Sequence, residues 1–479
     1  MDQSNQQNDS ADMSANYPDQ NDNTLPSSIL PHAKQFPNNR VNHNTQAARW
    51  VGWIRLSALL IFCFAAALPS LLGQYDLLLK GGYVIDPKNG ISGLRDVAIS
   101  DGVVAAVSES IEESQADRTF DLNGLYITPG LVDLHVHVFS TTNIPGAWAG
   151  DNSVQADTNT LPSGVTTAVD AGSSGWRNFE FFRHTVIDKE RQQTRILALI
   201  NIAGFGMITD ITEQKDFNPE EVARLAVKHK DVVVGVKSAH YQEPDWESVD
   251  LAVTAGTLAK IPVMVDFGYF LPERPFYELV TEHLRPGDMP THMFRGPVPW
   301  VDENGKLYDY LHQARKRGVK FDVGHGGGSF VFRNAVPAIK QGFYPDSIST
   351  DLHQGSVNAA MMDMQTTMSK FLAMGMPLDE VVKSSTWNPA KQIQREELGH
   401  LTPGAVADIA VFRLQEGAFR FRDARNGAIN GKQRLFCELT LREGRVVWDF
   451  NSLSGVDYEQ LGPEYGYRPE VEQIVRPPH

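Results

Sequence analysis

The chain has 479 residues and a formal charge of −15, from 43 Lys and Arg against 58 Asp and Glu. Such a length suits a barrel of roughly 250 residues plus a smaller domain. The acidic balance, with no basic stripe, argues against nucleic acid as a partner. Two cysteines, Cys63 and Cys437, cannot build a disulfide framework or a thiolate zinc site, so any metal must be held by His, carboxylate or Lys.

Residues 1–49 are rich in Asn, Gln, Asp, Ser and Pro and read as a disordered polar leader. Residues 50–73 contain Leu56 to Leu72, an uncharged run preceded by Arg49 and Arg55. Its length and flanking charge fit either a signal-peptide core or a short membrane anchor, and small residues around Pro69 to Gly73 allow cleavage near Gln74. The expectation is a protein exported, periplasmic or membrane-tethered, with its catalytic domain outside the cytoplasm.

From Tyr75 the pattern changes to short strands, Tyr75 to Lys80, Tyr83 to Ile85, Val97 to Ile99 and Val103 to Val107. Gly-Gly, Pro-Lys-Asn-Gly and Asp-Gly turns are expected between them. A second set occurs late, at Ala407 to Phe412, Arg434 to Leu441 and Arg445 to Phe450, with a tight turn at Arg442-Glu443-Gly444. Neither set has enough apolar residues for its own core. Residues 74–126 and 403–451 are therefore expected to form one β-sandwich around an inserted catalytic domain, 127–402, with 452–479 as a tail.

Within the insert, apolar strand candidates are Gly130 to His137, Gly164 to Asp170, Ile196 to Ile202, Val232 to Lys237, Pro262 to Asp266, Met289 to Met293, Gly318 to His325 and Ser347 to Asp351. Helical stretches include Pro219 to Lys230, Trp246 to Ala259, Lys306 to Arg317 and Leu378 to Ser385. Eight strands alternating with helices predict an α/β fold, a (β/α)8 TIM barrel, whose active groups gather at the C-terminal strand ends.

The unusual polar residues fall at those ends. His135 and His137 are two apart on one strand, and alternation sends i and i+2 to one face, where they can grip a metal ion. Lys237 ends its strand. As a bare ammonium it would be repelled by a metal, whereas its neutral amine can capture CO2 and become a bridging carboxylate; the alternative is a snorkelling surface lysine. Asp266, His292 and Asp351 end three further strands and suit zinc or another divalent ion. Asp351 also has the chemistry of a general base.

His325 precedes three glycines that allow close backbone approach to a ligand, and a substrate-contacting or supporting role is expected for it ahead of metal ligation. Arg295 and Arg333 are candidate carboxylate binders, since the guanidinium fork matches a planar anion. His240 and Tyr241 follow Lys237 closely enough to reach the mouth. His353, two residues past Asp351, can orient that base or cap a loop.

The runs Pro129-Gly130-Leu131-Val132-Asp133-Leu134-His135-Val136-His137, Asp322-Val323-Gly324-His325-Gly326 and Ser349-Thr350-Asp351-Leu352-His353 resemble the amidohydrolase superfamily. The similarity is to its dihydroorotase-like and D-aminoacylase-like branch, in a subgroup of amidohydrolases and deacetylases, and it spans Tyr75 to Phe450. The resemblance implies that His135 and His137 hold the more buried of two divalent ions and that carboxylated Lys237 bridges them. It also implies that His292 is the sixth-strand ligand and Asp351 the eighth-strand ligand and proton shuttle. One departure is clear: relatives carry His on the fifth strand, where this chain has Asp266.

The predicted activity is hydrolysis of an amide or ester bond in a small carboxylate-bearing acyl substrate. N-acyl amino acids, cyclic amides and acylated hydroxy acids are the candidates. Two rival readings use the same residues: a catalytically impaired, membrane-tethered binding or scaffold protein, and lyase or isomerase chemistry at the same metal site.

Overall fold

The computed structural model describes residues 73–139, 152–207, 216–267, 270–463, 465–466 and 468. The polar leader and the run Leu56 to Leu72 lie outside them. Among the described residues, no helix is long and apolar enough to cross a membrane.

The first strands are β1 (Leu77–Asp86), β2 (Ile91–Ser100), β3 (Val103–Ser108), β4 (Thr119–Asp121) and β5 (Tyr126–Pro129). Gly81-Gly82 does not turn the chain as expected. The pair lies inside β1, at a bulge against β2 between Leu79 and Gly82. Gly81 takes φ 73 there, a conformation open to a residue without Cβ. After β5, Gly130 passes the chain into a second sheet, and a methyl group at that position would overlap the Thr166 side chain.

That sheet consists of β6 (Leu131–Val136), β7 (Val165–Gly175), β8 (Arg195–Asn201), β9 (Val233–Ala239), β10 (Val263–Asp266) and β11 (Met289–Thr291), parallel and in chain order. Its strands are buried on both faces, which explains their near-continuous apolar runs. The expected strands at Gly318 to His325 and Ser347 to Asp351 pair less fully. They carry isolated bridges, Asp322 with Ser347 and Leu352 with Val136. Left-handed backbone at Gly324, Gly326 and Asp351 (φ 46, 53 and 51) interrupts their extended conformation.

Backbone hydrogen bonds nevertheless complete the ring. Asp322 N donates to Pro290 O at 3.1 Å, Val323 N to Ser347 O at 3.1 Å and His137 N to Leu352 O at 2.8 Å. Eight staves thus make the (β/α)8 barrel. Val132, Leu134, Val169, Leu197, Leu199, Val234, Met264 and Met289 fill its interior, with Ala390, Ile393 and Leu398 packed against them.

The expected helices appear with trimmed ends, at Pro219–Lys228, Glu247–Ala259, Asp309–Arg317 and Leu378–Lys383. Asn218 Oδ1 caps the first by accepting from Glu221 N at 3.0 Å. Gly318, at φ 98, ends the third. Helices that the sequence expectations left out include Phe332–Lys340, Met364–Met374 and Trp387–Gln392.

Finally β12 (Ile409–Arg422), β13 (Ala428–Arg442) and β14 (Arg445–Asp449) return to the first sheet, in the order β14-β13-β12-β5-β1-β2-β3 with β4 beside β1. One apolar cluster draws Leu77, Leu79, Val97, Ile99 and Ile127 from the early strands and Ile409, Val411, Leu439 and Leu441 from the late ones. β12 and β13 outrun their expected lengths and extend as an arm to the barrel. At its tip Asp423 Oδ2 accepts from Phe332 N at 3.0 Å.

Candidate metal centre

A hydroxyl has one proton to give. Thr291 Oγ1 donates its proton to Asp322 Oδ2 at 2.6 Å, so towards His135 Nδ1, 3.0 Å away, it accepts. That places the imidazole proton of His135 on Nδ1 and leaves Nε2 a lone pair. His137 is held alike: Nδ1 lies 2.9 Å from Ser173 Oγ, and the Ser173 hydroxyl is also bonded to Asp170. His292 Nδ1 donates to Gly324 O at 2.6 Å. Three Nε2 atoms are thus turned inward as acceptors, the arrangement a metal-ligating histidine needs.

The carboxylates face these nitrogens. Asp351 Oδ1 lies 3.5 Å from His135 Nε2 and 3.2 Å from His137 Nε2. Asp266 Oδ1 lies 3.3 Å from His292 Nε2, and its Oδ2 lies 3.2 Å from His240 Nε2. Two ligands bound to one tetrahedral ion at 2.0–2.2 Å stand about 3.3–3.6 Å apart, close to the spacings of Asp351 to His135 and His137 and of Asp266 to His292. The ligand atoms of His135, His137 and Asp351 fall within 4.8 Å of one another. Asp266 Oδ1 is buried with no hydrogen-bond partner. A buried carboxylate oxygen facing an imidazole lone pair calls for a cation, so the residues fit a divalent ion.

Lys237 sits between the two groups. It is fully buried, with Nζ 3.2 Å from His135 Nε2 and 3.5 Å from Met264 Sδ, and burial lowers its pKa. Its place depends on Gly172, at φ 81, where a Cβ would come within 2.6 Å of the Lys237 Cβ. Gly326 does the same for Asp351, since a side chain there would overlap Oδ2.

Burial works to raise the Asp351 carboxyl, yet the surrounding imidazoles, led by His135, hold it well below the usual carboxylate range. Burial and then the Lys237 charge hold His135 well below the ordinary imidazole value. Burial pushes the Asp133 carboxyl up to about 7, although it accepts from Thr350 Oγ1 at 2.5 Å and from His135 N at 3.2 Å. These bonds tie β6 to the eighth stave. His240, His292 and Asp351 all have positive φ (57, 58 and 51), costly for residues other than glycine and common where a site holds its backbone under strain.

The remaining candidates lie less centrally. His325 is fully buried, with Nδ1 bonded to Gly326 O at 2.9 Å and Nε2 to Lys370 Nζ at 2.7 Å, so both ring nitrogens are engaged within the protein. His353 Nδ1 accepts from Gly355 N at 3.1 Å, while its Nε2 stands 3.9 Å from Asp351 Oδ2. It caps a short helix and faces Asp351. Arg295 is half-buried beside the fifth stave, its Nη1 3.5 Å from Phe267 O and its guanidinium over the Phe270 ring. Arg333 is exposed on the helix Phe332–Lys340. The Tyr241 hydroxyl is donated to Asp245 at 2.6 Å.

Sequence reasoning missed Thr291, Ser173, Asp170, Gly172 and Lys370. The positions of Ser173 and Gly172 late in the long β7 run were the available signal for two of them.

Residues 331–437 match a family model described as the amidohydrolase family. The chain is 35% identical to a deacetylase of Agrobacterium fabrum over 349 residues, covering 70% of this chain and 82% of the relative. The solved structure of an adenine deaminase aligns with a TM-score of 0.69 at 28% identity, covering 78% of this chain and 100% of that one. That of a dihydroorotase aligns at 0.68 and 30% identity, covering 78% and 99%.

Proposed function

Because the chain belongs to the amidohydrolase superfamily, we propose that it hydrolyses an amide or ester bond in a small carboxylate-bearing acyl substrate. The substrate class is an N-acyl amino acid, a cyclic amide or an acylated hydroxy acid. The observation that carries this reading is the convergence of His135, His137, Lys237, Asp266, His292 and Asp351 from four strand ends and the eighth stave. The similarity to a deacetylase and to a dihydroorotase supports C–N hydrolysis.

His135, His137 and Asp351 would hold one divalent ion, zinc or a similar metal, and Asp266 and His292 a second. Lys237, carboxylated by CO2, would bridge them. Bound there, such ions supply Lewis-acid activation of water and of the scissile carbonyl.

Asp351 divides its work between its oxygens. Oδ1 faces the two imidazoles, and Oδ2 lies towards the space that Gly326 keeps open. Oδ2 takes the proton of the attacking water as the new C–O bond forms. It then delivers that proton to the leaving nitrogen or oxygen as the acyl bond breaks. Arg295, beside the fifth stave, would hold the substrate carboxylate in a bidentate pair. The uncharged run Leu56 to Leu72 supports action outside the cytoplasm, exported or tethered to a membrane.

The test is metal analysis of the full chain prepared with divalent metal and bicarbonate, together with turnover of N-acetyl amino acids and acetylated hydroxy acids. Two metal equivalents with product release support the reading. One equivalent with turnover would remove the bridging role of Lys237. A folded, metal-free and inert protein would favour a binding module instead.

A further inference from the structure

The second metal position contains a residue that the ligand set does not explain. Asp266 ends β10 and is buried with a histidine on either side. His292 Nε2 faces Oδ1 at 3.3 Å and His240 Nε2 faces Oδ2 at 3.2 Å. Oδ1 is buried without a hydrogen-bond partner, and His240 makes an ion-pair contact with Oδ2. His240 is also the first residue beyond β9, and it takes φ 57 where an extended strand would carry its side chain elsewhere. Left-handed backbone is unfavourable for a residue with a Cβ. His292 and Asp351, both proposed ligands, share that conformation.

We propose that His240 is a positioning residue for this centre: it takes Oδ2 of Asp266 and so presents Oδ1 as the ligand atom beside His292. This inference rests on the metal-centre reading above. The chemical need follows from the fifth-strand residue. A carboxylate brings a negative charge and two equivalent oxygens, and a free carboxylate can rotate or chelate through both. An imidazole N–H on one oxygen fixes the plane of the group and draws charge from the other. Partners of this kind to ligating carboxylates change metal affinity by about 10–100-fold when removed. The side chain of His240 is 43% exposed, so its replacement leaves no cavity in the core.

The experiment compares the full chain with His240→Ala, His240→Gln, Asp266→His and the Asp266→His/His240→Ala double variant. Metal equivalents and chelator competition are read on folded protein. In wild type two equivalents are expected. His240→Ala should weaken one of them by about 10–100-fold, and His240→Gln, whose amide N–H can reach the same oxygen, should recover most of that loss. In the Asp266→His background, removing His240 should change affinity by less than about twofold, because the oxygen it serves is gone.

Wild-type metal affinity in His240→Ala would overturn the proposal while leaving the metal centre standing. An equal loss in both backgrounds would overturn it too, since His240 would then act without Asp266. Wild-type chain that binds no metal would overturn the centre itself and this role with it.

Discussion

Thr291→Val keeps the shape of a buried side chain and removes one hydroxyl. That hydroxyl accepts from His135 Nδ1 at 3.0 Å and donates to Asp322 Oδ2 at 2.6 Å, and Thr291 is fully buried, so water cannot replace it. The Nδ1–H of His135 then has no acceptor, and Asp322 keeps only Ser347 and Ser349, at 2.5 and 2.7 Å. An unsatisfied buried polar group costs about 1–3 kcal/mol, so the metal-free protein should lose stability on that scale in urea unfolding. The larger signal is in the metal. With its tautomer and orientation no longer fixed, His135 should bind about 10–100-fold more weakly, which is about 1.4–2.8 kcal/mol. Chelator competition on folded protein reads this directly, and Thr291→Ser, which restores the hydroxyl, should stay near wild type. If Thr291→Val holds metal within twofold of wild type, the Asp322–Thr291–His135 chain does not set the ligand.

Three further outcomes are expected. Asp351→Asn keeps an oxygen towards His135 and His137 but cannot take a proton, so turnover should fall about 10²–10⁴-fold; near-wild-type rates at full metal occupancy would remove Asp351 from the mechanism. Gly172→Ala places a methyl group within 2.6 Å of the Lys237 Cβ at φ 81. It should cost at least about 1–2 kcal/mol from the left-handed backbone, and equal unfolding midpoints for the two proteins would show that β7 can yield. Burial lowers Lys370 from an ordinary 10.5 to about 7. Between those values the unfolded chain binds more protons than the native one, so wild-type stability gains with rising pH, by up to about 1.4 kcal/mol per unit. Lys370→Met should lose that gain, and identical pH profiles of unfolding free energy from 7 to 10 would show that Lys370 stays charged.

What the sequence made legible was whatever a strand period or a strand end marks. His135, His137, Lys237, Asp266, His292 and Asp351 each close an apolar run, and all six meet in the barrel mouth. The supporting atoms carry no such mark. Thr291 and Ser173 are ordinary strand residues until their partners are known: Asp322 meets Thr291 from the next stave, and Ser173, a local neighbour of Asp170 on β7, meets His137 from β6. His325 looked free for substrate because the residue that occupies its Nε2, Lys370, lies 45 residues further on in a helix the sequence reading did not assign. Gly81-Gly82 looked like a turn because a bulge and a turn ask the same backbone freedom of glycine.

β5 lies between β1 and β12, and Thr128 Oγ1 reaches Ala410 O across 282 residues of chain. The barrel ring likewise waits for the stave at Leu352 to meet His135 and His137. A ribosome adding about 5–20 residues per second takes roughly 15–55 s to make the stretch between the two sides of β5. For that time one edge of β5 has no neighbour, and such edges invite pairing between chains. Folding is therefore a late event in the life of each molecule, dominated by pairings distant in sequence and slow for that reason. A chain cut before Ile409 should fail by aggregation, even though every residue of the metal centre has already been made.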